Sequence, residues 1–180
     1  MLPTHTCSTP AFPQPPWTIQ NLGVDDIDAV LAIQSQCYGH DILEPRAVYE
    51  RRLRACGHCC LGAARDGRLQ AYLAAYWSRP GAVTPLHGDF AHHADASVLY
   101  LHDMAVAPEA KGQGAARALL AAARNLARQR LIRRTALVSV QDSQAYWQGL
   151  GYAVEPVTDT LQQQHLRTYG AEAVYMAGEF

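Results

Sequence analysis

Apolar residues along the 180-residue chain recur with two periods, and each period predicts an element type. The run "WTIQNL" (17–22) reads as a first strand. After it Val24, Ile27, Val30, Leu31 and Ile33 fall near helical spacing, with Asp25 or Asp26 as the cap. "EPRAVYERRLRA" (44–55) predicts a second helix, with Pro45 in its first turn and Val48, Leu53 and Ala55 inward. In "HCCLGAARDGRLQAYLAAYW" (58–77) two small-apolar runs flank Asp66-Gly67, a tight-turn signal, and predict a hairpin. Residues 78–97 carry no period and several breakers, so a long loop is expected there, of a kind that is often functional.

"VLYLHDMAVAP" (98–108) predicts a strand ending at Pro108. A helix follows from about Gly114 to Gln129, with Leu119, Leu120, Ala123, Leu126 and Ala127 inward. "TALVSV" (135–140) reads as a buried strand and "SQAYWQGL" (143–150) as a short helix stopped by Gly151. "YAVEPV" and "AEAVYMAGEF" read as two closing strands. The order is β-α-α-β-β-β-α-β-α-β-β, a mixed α/β domain over 17–180. Five prolines within the first 16 residues make that segment a flexible tail.

Composition narrows the functional classes. Hydrophobic residues make up 49% and the net charge is −1, so disorder is excluded for most of the chain and no global charge points to nucleic acid or an anionic membrane. No apolar run reaches the ~18 residues of a membrane span, and the N-terminus lacks the pattern of a secretory signal. Five irregularly spaced cysteines argue against a disulfide framework and make a reducing cytoplasm the default. In "CGHCC" (56–60), alternation sends Cys59 and Cys60 to opposite faces, so small buried hydrophobes are expected rather than a metal site.

The chemistry concentrates in "PEAKGQGAARALL" (108–120). The start of a helix leaves about four backbone N–H groups unpaired and carries partial positive charge. Gly112 and Gly114 let a ligand approach the backbone, Ala115 and Ala116 keep the next positions small, and Lys111 adds a cation. Together they suit a phosphate or pyrophosphate. The P-loop pattern is absent, and Arg117 stands where a dinucleotide fingerprint needs Gly or Ala.

The segment "LHDMAVAPEAKGQGAARALL" resembles the acyl-CoA-binding signature of the GNAT superfamily of N-acyltransferases, with Lys111 in place of the usual Arg or Gln. "SQAYWQGLGY" resembles the family's second motif, with Ser143 at its Ala position. The resemblance covers roughly 17–180. It implies a central mixed, mostly antiparallel sheet, splayed between its fourth and fifth strands and flanked by helices. Acyl-CoA, as co-substrate with no metal, would lie in the splay. Its pantetheine would pair with Met104, Ala105 and Val106, a freed strand N–H would polarise the thioester, and Lys111, Gly112, Gln113, Gly114, Ala115 and Ala116 would hold the pyrophosphate.

The same resemblance implies N-acetylation of a primary amine on a small-molecule or peptide acceptor; the absence of a recognisable Cys–His nucleophile arrangement makes direct attack on the thioester the expectation, the charge balance points to no nucleic-acid or membrane partner, and a homodimer stays open. In polyamine acetyltransferases of the superfamily an acidic base aligns with His102, and imidazole, with an unperturbed pKa of ~6.5, suits that task. Strand alternation puts Asp103 on the opposite face unless a bulge intervenes, and puts Tyr100 with His102, facing the acceptor. The 78–97 loop, with His87, His92 and His93, is the expected acceptor wall. Trp147 stands where many members carry a Tyr acid, and indole is no practical acid. Trp147 is therefore expected beside the cofactor, and adjacent Tyr146 is the alternative donor, about 100° round the helix. Two other readings stay open: a catalytically weak acyl-CoA-binding module, and a thiol or metal protein using the 56–60 cluster.

Overall fold

A computed structural model describes residues 17–56 and 59–180. The proline-rich segment 1–16 and the middle of the 56–60 cluster lie outside the described residues. The strands are β1 (Thr18–Asn21), β2 (Leu61–Arg65), β3 (Arg68–Ser78), β4 (Val98–Val106), β5 (Arg134–Ser139), β6 (Ala153–Val154) and β7 (Val174–Glu179). The helices are α1 (Ile27–Cys37), α2 (Arg46–Cys56), α3 (Ala115–Gln129), α4 (Gln144–Gly149) and α5 (Thr160–Arg167). They flank one sheet of order β1-β2-β3-β4-β5-β7-β6. All neighbours run antiparallel except β4 and β5. Among the described residues no helix is long and apolar enough to cross a membrane.

Period-2 alternation divides the core. Leu99, Leu101 and Leu137 point to the α3–α4 face and pack on Leu119, Leu120 and Trp147. Tyr72, Tyr76 and Tyr100 point the other way, towards Ile27, Val30 and Ile33 of α1 and Tyr49 of α2. Cys59 and Cys60 are buried on opposite faces, one in each core. The β2–β3 turn has the left-handed pair Asp66 (φ 52°) and Gly67 (φ 73°) that a two-residue hairpin requires.

Three expectations need correction. The C-terminal stretch contains α5 as well as two strands. Asp159 caps it by accepting the Gln162 N–H at 2.9 Å. On α2 the inward face is Val48, Tyr49 and Arg52, while Ala55 is exposed. No side chain caps α1. Asp26 instead accepts the Gly23 N–H at 2.8 Å, closing the 3₁₀ turn that precedes the helix.

Candidate active site

β4 and β5 pair only from Val98↔Arg134 to Leu101↔Leu137 and then part. On its other side β4 stays paired with β3, but Ala74 opposes Asp103 while Ala75 opposes Leu101. His102 is therefore an extra residue, a β-bulge. It lets two successive polar side chains share the α1–α2 face, correcting the alternation that sent Asp103 to the far side. His102 packs edge-on to Phe90 at 5.2 Å, and Asp103 reaches Tyr49 and Tyr72. Each has its own partner, so they form no dyad.

The partner of His102 is Glu44. Its carboxylate lies 3.2 and 3.3 Å from His102 Nε2 and accepts the His87 N–H at 3.1 Å. Arg52 grips the same carboxylate with both terminal nitrogens, one at 2.7 Å, and donates twice more to Gly88 O at 2.9 and 2.6 Å. Arg52, Glu44 and His102 side chains are 1%, 3% and 2% exposed, so this cluster is dry. Burial alone would raise the Glu44 pKa. His102 and Arg52 outweigh it and hold the carboxyl well below its usual range. An ionised Glu44 accepts from the Nε2–H, so in the neutral tautomer of the ring the lone pair lies on Nδ1. Nδ1 is buried and has no partner among the described residues.

Among the described residues Asp103 forms no ion pair. Three phenols surround it: Tyr38 at 2.7 Å, Tyr49 at 2.6 Å and Tyr72 at 2.6 Å. Burial first, then the Asp103 charge, pushes all three phenols well above their ordinary pKa, so they remain protonated donors.

The parting strands open a cavity of about 210 Å³. Leu101, Met104, Leu137 and Trp147 line it on the α3–α4 side, and Tyr38, Glu44, His102 and Asp103 on the other, so the opening passes through the sheet. Ala107 donates to Gln70 O at 2.8 Å, which places alternate residues 105 and 103 on the β3 edge. Met104 and Val106 thus turn their backbone groups towards the side β5 has left. Their carbonyls accept from the Tyr38 hydroxyl at 2.9 Å and the Cys37 thiol at 3.2 Å, and no strand of the described residues pairs their N–H groups.

Beyond β4, a 3₁₀ turn (Pro108–Ala110) leads to Gly112 (φ 73°) and to Gly114 (φ 88°), the N-cap of α3. A Cβ on either glycine would meet no atom within 4 Å, so left-handed backbone rather than crowding requires glycine, and the space above the loop is open. No side chain caps α3, and the amides of Gly112 and residues 114–117 donate to no described partner. Gln113 braces the loop. It accepts from Trp17 Nε1 at its carbonyl (2.9 Å) and from Arg65 at its amide oxygen, and it donates to Glu109 O at 2.6 Å. Its side chain thus holds the loop together rather than facing the open space. Ala115 is buried, while Lys111 is exposed.

Other sequence candidates scatter. Ser143, Tyr146 and Trp147 all line the cavity. Ser143 Oγ lies 3.0 Å from Ser139 Oγ, and Trp147 is wedged edge-on between Tyr146 and Tyr152 at 5.1 and 5.3 Å. Burial raises the Tyr146 phenol pKa. Tyr100 shares the His102 face as expected, but it is 1% exposed and stands behind the histidine, off the cavity wall. His87 contributes its backbone to Glu44, and the loop's residue at the cavity is Leu86. His92 and His93 line a separate cleft with Trp77 and Arg130. Of the arginines near the end of α3, Arg124 and Arg128 lie over Phe180, Arg130 over Trp77, and Arg134 pairs with Glu155 at 2.5 Å. Sequence reasoning missed Glu44, Arg52, Tyr38 and Tyr169. One signal was present: in the predicted 44–55 helix, residues 44, 48 and 52 follow at i, i+4 and i+8, although α2 itself begins at Arg46.

Several solved structures share this architecture. The GphF GNAT-like decarboxylase in complex with isobutyryl-CoA superposes with a TM-score of 0.71 at 18% identity, over 90% of this chain and 98% of that one. The loading GNATL domain of CurA from Lyngbya majuscula gives 0.70 at 11%, over 91% and 97%. The ribosomal-protein-S18-alanine N-acetyltransferase from Escherichia coli gives 0.62 at 19%, over 91% and 93%. At these identities the likeness is one of fold. No curated protein matches the chain. The family model described as "Acetyltransferase (GNAT) family" matches residues 27–152, spanning both cores, the bulged strand and the glycine loop. By that match, the chain belongs to the GNAT acetyltransferase family.

Proposed function

We propose that the protein moves an acetyl group from acetyl-CoA to a primary amine by direct attack on the thioester, with His102 as the base. One observation carries this reading: a bulge sets His102 on the lining of the β4–β5 opening, its Nε2 held by Glu44 and its Nδ1 buried without a partner among the described residues. The pyrophosphate rests on the free amides of Gly112 and residues 114–116 and beside Lys111, and the pantetheine pairs with Met104 and Val106. The thioester then reaches the opening from the α3–α4 side and the amine from the α1–α2 side.

Each group has one task. The arriving ammonium gives a proton to His102 Nδ1, directly or through one water. The neutral nitrogen attacks the carbonyl, whose oxygen faces a β4 N–H freed by the splay. The C–S bond breaks, the attacking nitrogen sheds its second proton to water as the amide forms, and the thiolate takes a proton from the Tyr146 hydroxyl, which is protonated at neutral pH and is reprotonated from solvent, or directly from water. Glu44 keeps the proton on Nε2 and stabilises the imidazolium that forms. Cys37 does not compete as a nucleophile: burial raises its thiol pKa and its S–H is given to Val106 O.

The test compares wild type with His102→Gln by thiol release and by calorimetric binding of acetyl-CoA. We expect turnover to fall about 100-fold or more with cofactor affinity unchanged. Unchanged turnover and pH dependence would remove His102 from the mechanism. Absence of acetyl-CoA binding by folded protein would remove the transfer reading itself.

A further inference from the structure

The acceptor half of the opening has a roof as well as a floor. Its floor is Tyr38, Glu44, His102 and Asp103; its roof is Leu86 from the 79–97 loop and Tyr169, two residues beyond α5. Four hydrogen bonds fasten these two segments together. The Val83 N–H donates to Gln162 Oε1 at 2.7 Å, and His165 Nδ1–H donates to Val83 O at 2.7 Å. The Leu86 N–H donates to Thr168 Oγ1 at 2.8 Å, and the Tyr169 hydroxyl to Thr84 O at 2.7 Å. Every bond joins a side chain of the α5 segment to the loop backbone. The roof is therefore a strap, and it encloses the space an acceptor would occupy.

Charge inside the chamber is one-sided. The Glu44 carboxylate is matched by Arg52, which the cavity does not expose. Among the described residues, the side-chain hydrogen bonds to Asp103 come from three phenols. No Lys or Arg stands among the residues lining the cavity. A cationic amine meets a complementary field; a second carboxylate or phosphate meets Asp103 with no lysine or arginine in the lining to offset it. The rest of the acceptor wall is apolar: Ile42, Leu86 and the rings of Tyr38 and Tyr169. Resting on the acetyl-transfer reading, we infer that the acceptor is a small free primary amine with an apolar or aromatic body and no acidic group, rather than an amino acid or a peptide N-terminus. A peptide would need a groove leading its chain away from the reacting nitrogen, and the strap lies across that path.

Matched pairs isolate the charge. Thiol release from acetyl-CoA is measured with phenethylamine against phenylalanine, with isopentylamine against leucine, and with a C-terminally amidated peptide that begins with Phe. We expect kcat/KM for each amine to exceed that of its amino acid by about 100-fold, the scale of one like-charge repulsion across several ångströms of partly desolvated protein. The peptide should be turned over no faster than phenylalanine. In Leu86→Lys, which adds a cation to the roof, the amino-acid penalty should shrink by about 10-fold or more. An amino acid or the peptide matching its amine counterpart overturns the inference. So does an unchanged penalty in Leu86→Lys, or release with none of the amines from protein that binds acetyl-CoA. Failure to bind acetyl-CoA at all would instead strike the transfer reading.

Discussion

Replacing Glu44 with Gln keeps the shape of the side chain and removes its charge, leaving the Arg52 guanidinium 1% exposed with no counter-ion. Breaking one side of a buried ion pair costs about 3–5 kcal/mol, because the remaining charge is desolvated without compensation. For a domain of this size each kcal/mol shifts the melting temperature by about 2–4 °C, so Glu44→Gln should melt roughly 6–20 °C below wild type. Arg52→Met should cost a comparable amount. It also forfeits two bonds to Gly88 O and the stacking on Phe90 at 4.7 Å. Those losses recur in the double variant and cancel in a double-mutant cycle, which isolates the pair. The double variant should then be no less stable than the weaker single one, with a coupling of about 2 kcal/mol or more. Calorimetric or denaturant unfolding reads all three.

The pH dependence has a definite sign. Glu44 is held below its unfolded pKa, so its contribution is complete above about pH 4.3 and is lost as the pH falls towards the folded value. The gap between wild type and Glu44→Gln should therefore narrow as the pH falls below about 4.3. A single-variant cost under about 1 kcal/mol, or a double variant that sums the two single costs, would refute the claim that the pair is dry and mutually neutralising.

Two further substitutions test backbone geometry. Leu131 follows α3 with φ 60° and is 90% exposed, while the N–H groups of Leu131 and Ile132 bond back to Arg128 O and Ala127 O. This is a helix stop that favours glycine. Leu131→Gly should relieve left-handed strain and raise stability by about 0.5–1 kcal/mol, visible as a higher melting temperature; a lower one would show that leucine is not strained there. Gly112 and Gly67 both have φ 73° and open space where a Cβ would go. Gly112→Ala and Gly67→Ala should lose similar stability, about 1 kcal/mol, yet only Gly112→Ala should weaken acetyl-CoA binding by calorimetry. Equal affinity in the two variants would exclude the glycine loop as the phosphate cradle.

What was legible in the sequence follows from what a one-dimensional period can express. The apolar rhythm located β4, α3 and β5 because each buries a full face. Asp66-Gly67 announced its turn because few residue pairs tolerate two left-handed conformations in succession. Helix α5 escaped because burial does not hold it: Leu161 is 55% exposed, and side chains such as Gln162, His165 and Thr168 fasten it to a loop instead. Arg52 went unmarked, since only its spacing from Glu44 hints that the carboxylate eight positions earlier buries with it. The bulge at His102 belongs to the pairing of two strands, so no single-strand pattern could have set Asp103 beside it.

The tyrosine ring around Asp103 has a consequence for adaptability. Tyr38 ends α1, Tyr49 belongs to α2, Tyr72 to β3, and the anion itself to β4, so a single charge cross-braces four separate segments. Any one of them can shift only by abandoning a short, charge-assisted contact at that hub. In the proposed site, evolutionary tinkering with acceptor choice therefore has little slack on the Asp103 floor, and its freedom lies overhead, in the side chains that tether residues 83–86.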